Sequence, residues 1–180
     1  MKSFILKNGE EVLIREAIPA DAQQMINFYN VVGGETDFLS FGKNEFTIDV
    51  ADFQTSIQKA QQLQGSVMYL AIANGDIISI ATVDSPLKKR VKHVGTLGIV
   101  ISETYTGLGL GKKMMQELIE WAQTNGVTEK ITLLTREDNK VAIQLYKKLG
   151  FETEGILKKD SLINDTYYNT LSMALFLQKN

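Results

Sequence analysis

The sequence predicts a mixed α/β (α+β) domain, a central sheet of six to seven strands with helices on both faces. Three observations predict it. Short β-rich runs turn at two Asn-Gly dipeptides, Asn8-Gly9 and Asn74-Gly75, the pair favoured in tight hairpins. Segments with apolar residues at helical spacing alternate with those runs. Between 93 and 135 a strand, a helix and a strand follow one another, and a right-handed crossover makes those two strands parallel.

Taken in order, "SFILKNGEEVLIRE" alternates around Asn8-Gly9 and reads as one or two opening strands. In "IPADAQQMINFYNVV", Pro19 and Asp21 signal a helix start, Ala22, Met25, Ile26 and Tyr29 share an apolar face, and Gly33-Gly34 stops the helix. A polar loop leads to "IDVADFQTSIQKAQQLQG", helical in spacing at Val50, Phe53, Ile57, Ala60 and Leu63, with Gly65 as its expected exit. "SVMYLAIA" and "DIISIATV" form a central hairpin, and "SPLKKRVK" is a charged surface loop. "HVGTLGIVI" is the next strand. "GKKMMQELIEWAQTNG" is an amphipathic helix with Met114, Met115, Leu118, Ile119 and Ala122 on one face, ended at Asn125-Gly126. "KITLLT" is a short buried strand, "NKVAIQLYKKLG" a helix closed by Gly150, and "FETEGILKK" with "TYYNTLSMALFL" a final antiparallel pair.

A length of 180 residues suits a single domain spanning 1–180, and no repeat or linker interrupts it. With 44% hydrophobic and 22% charged residues, a packed core is expected rather than disorder. A formal net charge of -2 gives no overall basic footprint, so nucleic acid is not an expected partner. The absence of cysteine excludes a disulfide frame and a thiolate nucleophile, and with one histidine no metal site is expected. No apolar run is long enough for a signal peptide or a membrane span, so a soluble cytoplasmic protein is expected.

The chemistry concentrates in "TYTGLGLGKK", where Gly107, Gly109 and Gly111 precede Lys112 and Lys113. A dinucleotide fingerprint, G-x-G-x-x-G, fails because its third glycine would be Lys112. A P-loop fails because Thr106 and Lys113 stand where it needs glycine and a hydroxyl residue. What remains is an anion cradle, a glycine loop whose N–H groups lead into a helix N-terminus. The competing reading is a loop whose glycines only let the helix pack closely on the sheet.

"HVGTLGIVISETYTGLGLGKKMM" resembles motif A of the GNAT acetyltransferase family, Q/R-x-x-G-x-G/A between a strand and a helix. It reads here Thr106-Gly107-Leu108-Gly109-Leu110-Gly111. "ITLLTREDNKVAIQLYKKLGFETEG" resembles the same family's motif B, and "IREAIPAD" its usual opening. The resemblance covers nearly the whole chain and departs at Thr106, where Gln or Arg is usual. It implies the GNAT fold and an N-acetyltransferase that takes acetyl-CoA as co-substrate, without a metal. It places the pyrophosphate on main-chain donors from Leu108 to Lys112, including Gly109, Leu110 and Gly111, with Thr106 and Gly107 at the loop's start. Ile99, Val100 and Ile101 would pair with the pantetheine arm. Gly95 and Gly98 suit a close backbone approach, a β-bulge being the alternative. Asn139 would contact the cofactor, act as an N-cap, or do both.

Tyr146 matches the family's tyrosine that protonates the departing thiolate, although its helical spacing also suits a core aromatic. His93, at a strand start, is the candidate base, with proton loss to a water chain as the alternative. Glu35, Asp37 and Glu45 are candidates to attract a cationic amine, and Tyr167 and Tyr168 to line the same cleft or to pack. The acceptor is a small-molecule amine or a peptide or protein N-terminus, and the family makes a homodimer through the last strands plausible. The alternative to an enzyme is an acyl-CoA-binding sensor of the same fold without turnover. A nucleotide-binding oxidoreductase is disfavoured by Lys112.

Overall fold

The computed structural model describes residues 2–178. One eight-stranded sheet runs through it in the order β1-β2-β3-β4-β5-β6-β8-β7. That is more than the six to seven strands expected, because the opening run turns at Asn8-Gly9 into β1 (Lys2–Ile5) and β2 (Glu11–Glu16). After one 3-10 turn at Pro19–Asp21 come α1 (Ala22–Val32) and α2 (Val50–Gln62). Then follow β3 (Val67–Ala73), β4 (Asp76–Asp84), β5 (Val94–Ile101), α3 (Leu110–Thr124), β6 (Lys130–Arg136), α4 (Lys140–Lys148), β7 (Glu152–Ile163) and β8 (Thr166–Phe176).

Asn74 and Gly75 have φ of 52° and 89°, the double left-handed geometry that twists a two-residue hairpin correctly. β7 outruns its expected end near Lys159, crossing a register shift between Leu157 and Ser161 to reach a turn at Asn164-Asp165. That turn also has two positive φ angles, 47° and 59°, without a glycine to announce it. α2 ends at Gln62 because Leu63 is already extended. Gly65 therefore serves close packing instead, since a Cβ there would lie 2.9 Å from Cβ of Ser85.

Two cores separate the helices by face. Leu110, Met114, Met115 and Leu118 of α3 are fully buried and pack with Tyr146 of α4, Ile131 and Leu133 on one face. Met25 and Val32 of α1 and Phe53 and Ile57 of α2 pack with Leu70 and Ile80 on the other. Lys112 and Lys113 in the first turn of α3 oppose the helix dipole by about 0.3–1 kcal/mol each. Each buried apolar side chain of that helix contributes about 1.5–3 kcal/mol, so burial decides where α3 begins. On the opposite face, Arg15 of β2 donates to both carboxylate oxygens of Asp21 at 2.6 and 2.8 Å, fixing the entry to α1.

β5 and β6 are the sheet's parallel pair, and their register runs from Val94↔Lys130 to Thr96↔Thr132 and stops. Beyond it, Leu97–Ile101 stays paired to β4 and Leu133–Arg136 to β8. The facing edges of β5 and β6 therefore part into a V that opens toward their C-terminal ends. Gly95 lies in the paired section, where a Cβ would sit 2.6 Å from Cγ1 of Val83. Its glycine makes room for a core side chain rather than a ligand, and β4 and β5 pair without a bulge. Gly95→Ala is expected to lower stability by about 1–3 kcal/mol through overpacking. A urea titration checks this as a lower midpoint at unchanged m-value.

Candidate active site

The loop after β5 turns back at the open end of the V. Ser102 N–H donates to the Ile78 carbonyl at 3.0 Å, and a 3-10 turn spans Glu103–Tyr105. Gly107 and Gly109 follow at φ of 74° and 93°, which a side-chain-bearing residue adopts only with strain. Gly109 is the residue before α3 and offers no side-chain cap. Lys113 N–H closes the first helical bond, to the Gly109 carbonyl at 3.2 Å. The N–H groups of Leu110, Gly111 and Lys112 therefore have no partner within the helix, and the positive end of its dipole lies among them.

Gly111 has a second reason to be glycine. A Cβ there would lie 3.0 Å from Cδ1 of Ile101 and 3.4 Å from Cδ2 of Leu145, so the start of α3 sits tightly between the end of β5 and α4. Close packing thus accounts for Gly111, while Gly107 and Gly109 are required by their left-handed backbone. Thr106 turns away, its hydroxyl donating to the Glu103 carbonyl at 2.8 Å. Of the two lysines, Lys113 pairs with the buried Glu117 at 2.9 Å, while Lys112 is exposed beside the free N–H groups. Burial pushes the Glu117 carboxyl up, but the ammonium groups of Lys2 and Lys113 outweigh it and hold the group below its ordinary value.

α4 brings the next two candidates. Asn139 caps it, Oδ1 accepting from Ala142 N–H at 3.2 Å, and no described residue bonds its Nδ2. Tyr146 is 8% exposed and meets the Phe151 ring at 5.9 Å between centroids. Its hydroxyl donates to no described residue, and burial pushes the phenol up to about 12. Leu145, its neighbour in sequence, is the residue against Gly111, which sets this turn of α4 beside the cradle.

His93 is not brought into this group. It precedes β5 at the paired end of the V, half-buried, its carbonyl accepting from the N–H groups of Glu129 and Lys130 at 2.8 and 3.1 Å. Ile101 lies eight positions further along the chain, about 26 Å at a rise of about 3.3 Å per residue. Its placement is that of a strand anchor.

The segment between α1 and α2 bridges the mouth of the V. Glu35 accepts from Glu103 N–H at 2.7 Å and from the Ser102 hydroxyl at 3.4 Å, so its carboxylate braces the end of β5 rather than standing free for an amine. At the end of β6, Arg136 donates to the Asp37 carbonyl at 2.9 Å and grips Asp138 with Nε and Nη2 at 3.0 and 2.6 Å. The same guanidinium lies 3.8 Å from the Tyr168 ring centre and 4.9 Å from that of Phe38. Arg136 was no sequence candidate, because its partners lie up to 99 positions away and an arginine ending a strand carries no local signature.

Between this segment and the β7–β8 tip lies a cavity of about 250 Å³, whose lining includes Asp37, Glu45, Leu39, Phe41, Leu162 and Ile163. Asp37 and Glu45 thus reach one cavity. Tyr167 stays outside its lining, 57% exposed with Lys159 Nζ 5.0 Å from its ring centre. Among the described residues, no group of three or more potential metal ligands occurs and no helix is long and apolar enough to cross a membrane.

A parallel pair that parts before a glycine loop, with a helix N-terminus behind it and a buried phenol alongside, suits an extended ligand that ends in an anionic group. The model of the Acetyltransferase (GNAT) family matches residues 37–151, and the chain belongs to that family. That family is one of acetyl-CoA-dependent N-acetyltransferases. The chain is 34% identical over 110 residues to an L-amino acid N-acetyltransferase of Escherichia coli (strain K12), covering 61% of this chain and 68% of that one. Its structure matches that of a GNAT-family acetyltransferase from Streptococcus pneumoniae with TM-score 0.90 and 33% identity, covering 92% and 99% of the two chains. The fold is shared with a phosphinothricin acetyltransferase of Sinorhizobium meliloti in complex with acetyl-CoA, at TM-score 0.79 and 18% identity over 92% of this chain and 88% of that one.

Gly109→Ala places a Cβ at φ 93° and is expected to cost about 1–2 kcal/mol locally. Binding of acetyl-CoA should weaken about tenfold or more as the loop relaxes, read by titration calorimetry.

Proposed function

We propose that the protein transfers the acetyl group of acetyl-CoA directly to the amine of a small-molecule acceptor while both are bound. The observation that carries this reading is the free N–H row of the cradle set at the open end of the V, with Tyr146 on the adjoining helix turn. The parted edge of β5 offers main-chain groups at Ile99 and Ile101 to an extended arm, as an added strand would use them, whereas those of Val100 turn to β4, its carbonyl accepting from the Ser79 hydroxyl at 2.8 Å. Leu108, Gly109, Leu110, Gly111 and Lys112 supply N–H groups to the phosphates, and Lys112 adds a cation. Asn139 has an amide donor to spare for the same ligand.

Three tasks remain for the chain. The thioester must lie where the attacking nitrogen reaches it, the amine must be neutral, and the departing thiolate must gain a proton. Tyr146 is the donor in this scheme. Because burial pushes its phenol up to about 12, it remains protonated throughout the neutral range. His93 is set aside as the base by its place at the paired end, and the amine proton leaves through water. Without cysteine no thiol acyl-enzyme can form, which supports direct attack.

The acceptor enters from the face of α1 and α2, at the cavity beside Asp37 and Glu45. The Asp37 carboxylate and an apolar wall suit a cationic amine with an apolar body, while Glu45, like Glu35, already accepts from a backbone N–H, that of Gly42 at 2.7 Å. Arg136, the buried guanidinium nearby, already has Asp138 as its carboxylate, so an acceptor carboxylate gains little there. Diamines and polyamines are therefore favoured over amino acids.

Saturating acetyl-CoA, about 100-fold over its dissociation constant, is expected to contribute about 2.7 kcal/mol, or roughly 5–10 °C in melting temperature. NADH and ATP should give no comparable shift, and equal shifts with them would overturn the reading. In an amine panel, Tyr146→Phe should lower kcat by about a hundredfold while leaving acetyl-CoA affinity within about twofold. Binding without turnover of any amine would favour the non-catalytic sensor instead. The alkaline limb contributed by Tyr146 is expected only above about pH 11.

A further inference from the structure

We propose that Lys7, in the turn joining β1 to β2, is a positioning residue for the phosphate cradle, a role that rests on the acetyl-CoA reading of that site. Its main-chain N–H donates to the Leu108 carbonyl at 3.3 Å, and its Nζ donates to the Gly107 carbonyl at 3.4 Å. A Cβ on Gly109 would lie 3.9 Å from Cε of Lys7, so the side chain runs along the back of residues 107–109.

In a trans peptide the carbonyl and the N–H point in opposite directions. With the carbonyls of Gly107 and Leu108 turned toward Lys7, the N–H groups of Leu108 and Gly109 face the other way, away from the back wall. Those are two of the donors the cradle needs. Gly107 and Gly109 are free to adopt other backbone conformations, and that freedom must be removed before an anion can be bound without an ordering cost. Lys7 removes it by holding both carbonyls, and its charge favours the carbonyl-in orientation.

The turn that carries Lys7 is itself pinned to the loop. Leu6 is buried in the core beneath α3, at 3% exposure. The Tyr105 hydroxyl donates to Glu10 Oε1 at 3.0 Å, and Asn74 Nδ2 donates to the same oxygen at 2.7 Å. Lys113 cannot substitute, because Glu117 holds it, and Thr106, which stands where the family pattern has Gln or Arg, directs its hydroxyl into its own turn. Lys7 thus supplies from the β1–β2 turn the polar side chain that position 106 withholds from the loop.

The test is calorimetric titration of the full chain and its Lys7→Met and Lys7→Arg variants with acetyl-CoA, and with S-acetylpantetheine, which keeps the thioester arm and lacks the phosphates. Lys7→Met is expected to weaken acetyl-CoA about tenfold. Lys7→Arg should restore most of that affinity, S-acetylpantetheine should bind wild type and Lys7→Met alike, and the ligand-free melting temperature should stay within about 2 °C. Unchanged acetyl-CoA affinity in Lys7→Met, no rescue by Lys7→Arg, or an equal loss for both ligands overturns the proposal. Failure of wild type to bind acetyl-CoA overturns the cofactor reading together with it, whereas binding by wild type confines the failure to Lys7.

Discussion

Everything at the site depends on one interruption of hydrogen bonding, the end of the β5–β6 ladder after Thr96↔Thr132. A buried strand edge with unpaired amides is costly, and proteins normally cover or close it. Here both strands remain satisfied on their outer sides, β5 by β4 and β6 by β8. Only the facing edges are left open, and they are the edges an extended ligand can pair with. The bracing at the mouth, Glu35 on the end of β5 and Arg136 reaching from β6 to the same segment, supports the two tips in their parted positions.

The cradle applies the same logic to a loop. Two left-handed glycines turn carbonyls to one side and N–H groups to the other, and a third, Gly111, lets α3 approach β5 and α4 closely. Burial of the apolar face of α3 outweighs the penalty of placing lysines at a helix start. The lysines are then divided by their neighbours: Glu117 neutralises Lys113, and Lys112 stays exposed at the helix start. Tyr146 shows a comparable division, its ring held in the core and its hydroxyl unclaimed.

Much of this was legible in the residue order. Asn74-Gly75, the helical faces of α1 to α4 and the glycine loop are each set by interactions within a few positions, and they appear in the structure where spacing puts them. The resemblance through Gly107 to Gly111 and Asn139 to Gly150 pointed to the family and its co-substrate. Other features were not legible. The Asn164-Asp165 turn has no glycine, and β7 continues through a register shift that polar residues disguise. Gly95 looked suited to ligand approach and instead admits Val83. His93, the candidate base, stands at the closed end of the strands, where its carbonyl accepts from the N–H groups of Glu129 and Lys130.

The sequence by itself determined the element types, the mixed sheet with one parallel crossover, and the left-handed glycine loop before a helix start, because backbone conformation and amphipathic period are local properties. Only the tertiary structure decided where the parallel ladder stops, that Glu35 is spent on bracing, that Arg136 joins the mouth and that Lys7 backs the loop. Lys7 and Gly107 are 100 positions apart, and Arg136 and Asp37 are 99. Contacts over such separations come from packing of finished elements, and no periodicity or turn preference along the chain encodes them.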